Sequence, residues 1–521
     1  HSKCIYKHNN SFRFDNLYLD CNSIIYDVVY NIMKSKDDCS NNIIIKEVCV
    51  KIKNYIEMIQ PTKNVMIAFD GVAPVAKLEQ QRSRRTRSVF TNAVQNQFDK
   101  TIINSFDTTM ITPGTKFMHE LGNGIYTYFK SPQLFHVENI IVSTSNEPGE
   151  GEHKIFDYIR RNKMTHHDQH SVIYGLDADL IMLSINHIPI TPNLYLFRET
   201  PEFIKSIDHS LSPNELYMIH ISELTTAIVL EMNNYTSCST TLKSLRVYDY
   251  IFMCFFLGND FMPHFPSINI RTGGIDVLIQ TYQHVFSKTD DVMYDGNNIQ
   301  WKNVRKFIEQ LSLQEENRLQ DDSKKRAKFE KRHYPTNTLK EKMDKFNNIP
   351  TFERSKEKYI DPYSKDWQAR YYATLFDVEI NEARKNQICI NYLEALEWTT
   401  KYYSSGCVDW KWKYNYNYAP LLEDLITYVP YFPTEFIQPK EASPIKELTQ
   451  LCYVLPSSCH YLLPPKIQNM IKMKYSKNYP VNLEFEWSFC RYFWESHIHL
   501  PRIDIEQLEK EIISINVEKT N

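Results

Sequence analysis

The chain has 521 residues and a formal net charge of −3 at pH 7, with a sequence pI near 6.7. This length allows one large domain or about two to three ordinary ones, and the charge excludes a globally basic nucleic-acid coat. The 11 cysteines include no C-x-x-C pair, which argues against a zinc module and against a disulfide framework. The longest apolar run, residues 251–257, is far shorter than the ~18 residues of a membrane span. We therefore expect a soluble protein that makes no membrane contact.

Composition and periodicity divide the chain into three predicted parts. From residue 16 to 285, short apolar runs alternate with longer segments of helical period, which predicts an α/β domain with a mainly parallel sheet flanked by helices. Residues 301–360 are densely charged, and we predict an exposed, charged helical linker rather than core. Residues 361–521 are rich in aromatic side chains and predict a second, largely helical region that supports the first. The predicted boundaries are thus 1–300, 301–360 and 361–521.

Acidic residues follow the ends of apolar runs in the first part. Such runs end at Asp20, Asp70, Asp177, Asp179 and Asp260, and two further acids, Glu150 and Glu152, flank Gly151. The carboxyl ends of parallel strands meet at one edge of a sheet, so we expect these side chains to converge on one crevice. Because like charges raise one another's pKa, such a cluster needs cations. Oxygen ligands without Cys or His select Mg²⁺ or Mn²⁺, and two such ions ~4 Å apart can hydrolyse phosphodiesters. A single Asp after a strand is more often a turn or N-cap residue, but the whole set favours a metal site.

A basic segment follows Asp70. Its side chains Lys77, Gln81, Arg84 and Arg85 have the spacing i, i+4, i+7 and i+8, so on a helix they share one face. Such a face suits a terminal phosphate, which arginine can bind through two hydrogen bonds. A solvated charged face is the commoner outcome for a cluster of this kind. The neighbouring carboxylates favour the phosphate site.

Six motifs follow one another along the chain, namely FDNLYLDCNSIIY (14–26), FDGVAPVAKLEQQRSRR (69–85), ITPGTKFM (111–118), PGEGEHKI (148–155), YGLDADLIML (174–183) and LGNDFMPH (257–264). In this order they resemble the catalytic core of the XRN family of 5′→3′ exoribonucleases. Weaker similarity continues through 365–376, 402–420 and 451–464, so the resemblance covers nearly the whole chain. It implies a PIN- or flap-nuclease-like catalytic core in residues 1–300 and a minimal member of the family, as expected from a virus or a compact genome.

The resemblance also implies roles for the residues above. It implies that the seven acids bind the metals and act in catalysis, and that Lys77, Gln81, Arg84 and Arg85 hold a 5′-monophosphate. One partition of the metal ligands gives Asp20, Asp70 and Glu150 to one ion, Asp177, Asp179 and Asp260 to the other, and Glu152 to both. The cofactor would be two Mg²⁺ ions, with Mn²⁺ as a substitute. The substrate would be single-stranded RNA with a 5′-monophosphate, which is degraded processively to nucleoside 5′-monophosphates.

Family members stack the first bases of the RNA between a histidine and a tryptophan. The histidine position is Tyr26 here, which can stack but cannot carry a positive charge. The tryptophan would be Trp410 or Trp412. These residues alternate with tyrosines through residue 418, which equally predicts a half-buried strand. We favour the strand for all but one of these aromatic residues.

Two other functions stay open at this point. A flap-endonuclease-type DNA nuclease shares the acidic pattern, but the basic helix face and residues 365–420 argue against it. A catalytically silent protein that binds 5′-monophosphorylated RNA is disfavoured because all seven acids are present. We expect a monomer, with decapping or other RNA-processing factors as candidate partners. We expect a cytoplasmic location, with the nucleus as the alternative, because the basic run at 323–332 fits a nuclear signal as well as a helical linker.

Overall fold

The structure is a computed structural model. It describes residues 4–7, 12–35, 39–98, 106–175, 177–199, 209–213, 215–236, 238–376, 380–440 and 443–517. None of the described helices is both long and apolar enough to cross a membrane.

A seven-stranded sheet forms the centre of the first part. Its strands are β1 (Ile5–Lys7), β2 (Asn16–Asp20), β3 (Asn64–Ala68), β4 (Asn139–Ser143), β5 (Ser171–Tyr174), β6 (Leu194–Glu199) and β7 (Leu216–His220). Their spatial order is β1-β7-β6-β5-β2-β3-β4. Strands β2 to β6 are parallel, and β7 and β1 extend the sheet in antiparallel fashion. A separate two-stranded sheet pairs β8 (Phe485–Glu486) with β9 (His497–Ile498).

Helices surround the sheet and make up most of the second half. Through the first part they are α1 (Asn22–Ser35), α2 (Asn41–Ile59), α3 (Val75–Phe98), α4 (Lys116–Tyr128), α5 (Gly151–Arg161), α6 (Lys163–His166), α7 (Ala178–Asn186), α8 (Ile221–Met232), α9 (Thr240–Cys254) and α10 (Gly274–Phe286). Those that follow are α11 (Trp301–Ser312), α12 (Glu315–Glu330), α13 (Leu339–Asn347), α14 (Ile349–Phe352), α15 (Ser355–Ile360), α16 (Trp367–Leu375), α17 (Glu382–Ser404), α18 (Leu422–Tyr428), α19 (Glu447–Val454), α20 (Pro465–Lys474) and α21 (Ile505–Val517).

The parallel strands are buried on both faces. Within β2, Leu17 and Leu19 pack with α1 and α2 on one face, while Tyr18 packs with α5 and α7 on the other. Successive side chains of a strand point to opposite faces, and a parallel sheet is covered by helices on both sides, which is why β2 is apolar at consecutive positions. The predicted α/β fold with a mainly parallel sheet is therefore confirmed.

The order of the strands reverses at β2. From β2 the chain builds outward through β3 and β4, and it then returns to the other side of β2 to place β5 and β6. At such a switch point, the loops that leave two adjacent strands in opposite directions open a crevice at their carboxyl ends, where ligands bind. The carboxyl ends of β2 and β5 border this crevice.

The prediction that residues 301–360 are exposed is wrong for its first helix. The side chains Trp301, Val304, Phe307 and Leu311 on α11 are buried in the same core as the helices of the sheet. They recur at the spacing of one helix face, and this apolar stripe was hidden by the dense charge around it. Helix α12 is about half exposed, with Glu315, Leu319 and Arg326 buried. The domain boundaries themselves stay a prediction.

The second half is helical and rich in aromatic side chains, as predicted. The segment 410–420 nevertheless forms turns and irregular backbone, so the expected strand is wrong. Its alternation has a different origin: Tyr414 and Tyr418 are buried, and Tyr414 donates a hydrogen bond to the carbonyl of Tyr418 at 2.8 Å. The segment thus forms a hydrogen bond within itself and does not pair with a neighbouring strand among the described residues.

Candidate active site

Three of the seven predicted acids meet at the switch point. Asp20 is the last residue of β2, Asp177 is the N-cap of α7 just after β5, and Glu152 lies in the first turn of α5. One carboxylate oxygen from each lies within 4.8 Å of the others. We call these residues the acidic trio. It combines members of both halves of the partition that the resemblance suggested.

Among the described residues, no salt bridge includes a member of the acidic trio, and the charge of Lys77 opposes the pKa increase of Glu152 without reversing it. Burial, followed by the charges of Asp70 and Asp177, raises the pKa of Asp20 well above its usual range. Burial and the charges of Glu150 and Asp20 do the same for Glu152. The Oδ1 atom of Asp20 is buried and has no hydrogen-bond partner among the described residues. A donor set made only of carboxylate oxygens, one of them unpartnered, fits a hard divalent cation.

Asp70 lies beside the acidic trio and is held by two neighbours. The side-chain amide of Asn22 donates to Asp70 Oδ2 at 2.6 Å, and the backbone N–H of Gly151 donates to Asp70 Oδ1 at 2.7 Å. A Cβ on Gly151 would lie 2.5 Å from the Oδ1 of Asp20, so only glycine lets α5 begin this close to β2. The backbone geometry therefore fixes both aspartates.

Lys77 joins a second acidic group. Its Nζ lies 2.7 Å from Glu150 Oε2 and also pairs with Asp260, and the hydroxyl of Tyr402 donates to Glu150 Oε1 at 2.9 Å. We call Lys77, Glu150, Asp260 and Tyr402 the lysine group. Burial opposes the charge of Lys77, but the two carboxylates outweigh it and raise the lysine pKa well above its usual range. Burial likewise opposes ionisation of Asp260, yet Lys77 lowers its pKa.

The carboxylate of Asp179 interacts electrostatically with members of both groups. Burial and the charge of Asp260, with smaller contributions from Glu150 and Asp177, raise its pKa to about 6. Lys77 opposes this increase. All seven predicted acids thus lie close together, and among the described residues the acidic trio is the group whose carboxylate oxygens approach within the distance of a shared ion.

The other side chains of the basic face are arranged differently from Lys77. Gln81 and Arg85 are buried on α3, whereas Arg84 is exposed. The Oε1 of Gln81 and the Nε of Arg85 have no hydrogen-bond partners among the described residues. Burial lowers the pKa of Arg85, and the nearby Tyr26 opposes this shift. A buried guanidinium with an unused N–H is suited to an anion.

The two predicted stacking tryptophans differ in their surroundings. The ring of Trp412 stacks on Trp398 with centroids 5.2 Å apart, and its Nε1 donates to Glu394 at 3.2 Å. The backbone carbonyl of Trp410 instead accepts a hydrogen bond from the N–H of Val75 at 2.9 Å. Val75 is the first residue of α3, so Trp410 lies next to the start of the basic helix.

Some site residues were missed by the sequence reasoning. Asn22 lies two positions after Asp20 within the first motif, and that proximity was an available signal. Tyr402 gave none, because its contact with Glu150 joins residues 252 positions apart. Lys154 was also missed; its Nζ donates to the carbonyls of Phe69 and Thr144, each at 2.8 Å, and so ties α5 to the ends of two strands.

The fold and site together define a PIN-like α/β domain whose parallel sheet carries a buried acidic cluster at its switch point. A family model described as "XRN 5'-3' exonuclease N-terminus" matches residues 1–200. A second, described as "Xrn1 helical domain", matches residues 245–366 and 355–521. The chain belongs to the XRN 5′-3′ exonuclease family.

Curated relatives match along nearly the whole chain. The "5'-3' exoribonuclease 2" of Arabidopsis thaliana is 26% identical over 98% of this chain and 63% of its own length. The "5'-3' exoribonuclease 2 homolog" of Drosophila melanogaster is 27% identical over 97% of this chain and 66% of its own length. The "5'-3' exoribonuclease 1" of Saccharomyces cerevisiae is 26% identical over 95% of this chain and 41% of its own length. The chain therefore spans about two thirds or less of these relatives.

Proposed function

We propose that this chain is a processive 5′→3′ exoribonuclease that hydrolyses single-stranded RNA to nucleoside 5′-monophosphates. The observation that carries the proposal is the acidic trio of Asp20, Glu152 and Asp177 at the switch point, close to a basic helix with unused hydrogen-bonding atoms. The names of the similar proteins support the same activity. In this proposal the acidic trio acts on the phosphodiester, and helix α3 recognises the 5′ end of the RNA.

The cofactor we propose is a pair of Mg²⁺ ions, for which Mn²⁺ can substitute. Bound Mg²⁺ supplies an activated water and neutralises charge on the leaving oxygen. The acidic trio would hold one ion, because its oxygen-only donors fit a hard cation. The candidates for the second ion are Asp70, Glu150, Asp179 and Asp260. The ammonium of Lys77 already neutralises two of these carboxylates, so it competes with that ion.

The 5′-monophosphate is proposed to bind at Gln81, Arg84 and Arg85. Arg85 is buried with an unused Nε, and a doubly charged phosphate would compensate its charge. We propose that this site accepts a single phosphate and excludes a cap or a triphosphate. A 5′-hydroxyl end would leave the buried cation without an anion, and the energy that orients the scissile bond would be lost.

Two aromatic side chains are proposed to stack on the first bases. Tyr26 is exposed and lies next to Arg85, so a base that follows the bound phosphate passes its ring. We propose Trp410 rather than Trp412 as the second ring, because one face of Trp412 is already covered by Trp398. Stacking contributes ~1–3 kcal/mol per base and tolerates any sequence, as a processive enzyme requires.

The proposal is tested with four RNAs of one sequence that carry a monophosphate, triphosphate, cap or hydroxyl at the 5′ end. Wild type and Arg84→Ala are compared with and without Mg²⁺, alongside Arg161→Ala as a control, because Arg161 is exposed at the far end of α5. We expect terminal mononucleotides from monophosphate RNA only. Arg84→Ala should slow that reaction at least about tenfold, ~1.4 kcal/mol, and leave the residual rate on hydroxyl RNA unchanged.

The same experiment separates the competing functions. Internal cuts before terminal mononucleotides, or preferred cleavage of the DNA counterpart, would indicate a flap-type endonuclease. Tight binding of monophosphate RNA without Mg²⁺-dependent products would indicate a silent binding protein. We further propose a monomer that works with decapping or other RNA-processing factors, and the mass of the protein in solution checks the first of these.

A further inference from the structure

A second basic region lies between α12 and residues 489–494. It is a cavity of about 550 Å³, and we call it the Arg491 cavity. Its lining contains five cations and a single acid, namely Arg271, Lys325, Arg326, Lys328 and Arg491 against Asp322. Aromatic rings line it as well. Basic side chains interleaved with rings are the combination that binds single-stranded nucleic acid.

Two arginines and three rings form an alternating series that runs from this cavity into a neighbouring groove, whose lining includes Trp494. The Cζ of Arg491 lies 4.5 Å from the ring centroid of Phe329 and 5.1 Å from that of Tyr492. The Cζ of Arg271 lies 5.4 Å from Tyr492 and 5.0 Å from Trp494. A guanidinium stacked on a ring keeps its N–H groups in its own plane, where they can bind phosphate. The series therefore offers alternating surfaces for bases and for phosphates.

The two ends of the series are open, and one of its cations is unused. Phe329 is 43% exposed and Trp494 is 53% exposed, so each presents a ring face to solvent. The Nη1 of Arg491 is buried without a hydrogen-bond partner among the described residues. Two other arginines differ, because the Nε of Arg271 lies 2.9 Å from Glu495 Oε1 and the Nη2 of Arg326 lies 2.6 Å from Glu357 Oε1. The cation available to a ligand is therefore Arg491, together with the exposed lysines of α12.

Surface grooves connect the Arg491 cavity with the candidate active site. The cavity shares Asn269 and Arg271 with a neighbouring groove of about 320 Å³. That groove shares Trp494 with a third depression of about 900 Å³, which reaches Asp260 and Arg84. A ligand that follows this surface can thus extend from the basic helix to α12, well beyond the length of one nucleotide.

We propose that the Arg491 cavity is a second RNA site, which binds the single strand several nucleotides away from the 5′ end held at α3. Bases stack on the open faces of Trp494 and Phe329, and phosphates bind Arg491 and the lysines of α12. This inference rests on the proposed function, since it takes RNA as the substrate. A free nucleoside monophosphate has the same chemistry, but the continuity of the grooves favours a strand. The site would retain the strand between successive cuts.

Binding without cleavage isolates this site. Affinities of 5′-monophosphorylated RNAs from about 4 to about 16 nucleotides are measured in EDTA by fluorescence anisotropy. The variants are Phe329→Ala and Lys328→Ala. The controls are Tyr359→Ala and Lys324→Ala, because Tyr359 is an exposed ring and Lys324 lies on α12 with Asp321 as its partner, both outside the cavity lining.

Phe329→Ala should weaken binding of the longest RNA about tenfold and leave the shortest unchanged, because only the longer strand reaches the cavity. Lys328→Ala should lower the slope of log affinity against log salt by about one for the long RNA alone. Both controls should match wild type. Circular dichroism verifies that each variant is folded, and should Phe329→Ala not fold, the double variant Lys325→Ala/Lys328→Ala decides in its place.

Equal losses for short and long RNA, or no loss at all, would overturn the second site. Weaker binding of free adenosine 5′-monophosphate, without any dependence on RNA length, would instead assign the cavity to released product and also overturn it. The proposed function is judged separately by decay of RNA with Mg²⁺. If wild type degrades RNA while the variants bind it normally, only the second RNA site is refuted. If binding depends on RNA length but no RNA is degraded, only the exonuclease activity is refuted.

Discussion

The acidic trio and the lysine group lie side by side and differ in how their charge is neutralised. In the lysine group, the ammonium of Lys77 outweighs burial and lowers the pKa of Asp260. In the acidic trio no salt bridge is present among the described residues, and the pKa values of Asp20 and Glu152 rise, although Lys77 opposes the rise for Glu152. The pKa of Glu150 rises too, because burial outweighs its pairing with Lys77. The ammonium of Lys77 thus compensates Asp260 most fully, while the acidic trio, which has no ion pair among the described residues, is suited to a cation from solution.

The two groups also come from different parts of the chain. The acidic trio is built by the ends of β2 and β5 and by the start of α5, all within the first 200 residues. The lysine group needs Asp260, which follows α9, and Tyr402, which lies on α17. The second half therefore helps to hold one side of the active site in place, whereas the first 200 residues supply the whole of the other.

The largest expected effect separates the groups by activity. Asp177→Ala should lower RNA hydrolysis at least about 100-fold, ~2.7 kcal/mol, because it removes a ligand from the acidic trio. Asp177 is exposed, so the fold should persist, and without metal the thermal midpoint should stay or rise as like charges separate. Asp168→Ala, at an acid that is 90% exposed, is the control. A rate above about a tenth of wild type would contradict the metal assignment.

In metal-free protein, a substitution in the lysine group should change stability in the opposite direction to Asp177→Ala. Lys77→Met should lower the free energy of unfolding by about 3 kcal/mol in EDTA, because it leaves the buried Glu150 and its neighbour Asp260 uncompensated. Mg²⁺ should restore part of this loss. Lys63→Met, which breaks the partly exposed pair with Asp15, should cost less than about 1 kcal/mol. Equal losses for the two variants would show that the lysine group is not a buried pair.

The pH dependence of stability tests Asp179, whose carboxylate interacts with both groups. The pKa of Asp179 is raised from 3.8 to about 6, so folded protein holds this proton more tightly than unfolded protein does. In EDTA, stability from this group should therefore fall as the pH rises from about 4 to about 6, by about 3 kcal/mol at most. Asp179→Asn should abolish that component in urea titrations. In contrast, Mg²⁺ affinity should increase over the same pH range, since Mg²⁺ binds the ionised carboxylates.

The parts of this comparison that the sequence predicts are the local ones. Strand ends followed by Asp20 and Asp177 predict where the acids lie, because strands and their carboxyl edges are encoded by short apolar runs. The spacing of Gln81 and Arg85 likewise predicts the helix face that they share. Both features depend on windows of at most about 18 neighbouring residues, and a single sequence displays them directly.

The distant contacts could not be predicted in this way. Lys77 pairs with Asp260, 183 positions away, which its helix face did not predict, and its assignment to phosphate stays a prediction. The alternation around Trp412 suggested a strand, but its ring packs on a buried helix residue, Trp398, instead. Such outcomes depend on tertiary packing, which overrides local pattern. The corrections therefore concentrate where the second half of the chain meets the sheet.

The smallest expected effect concerns Tyr402, where the second half of the chain meets the sheet domain. The ring of Tyr402 stacks on His153 with centroids 3.8 Å apart and on Trp398, while its hydroxyl bonds Glu150. Tyr402→Phe keeps the stacking and removes only the hydrogen bond, so we expect about a fivefold loss of rate, ~1 kcal/mol, and a weaker dependence on Mg²⁺. Tyr414→Phe removes a buried hydroxyl bonded to a backbone carbonyl and should lose similar stability without loss of rate. If both variants slow the reaction equally, the hydroxyl of Tyr402 acts through stability alone and does not position Glu150.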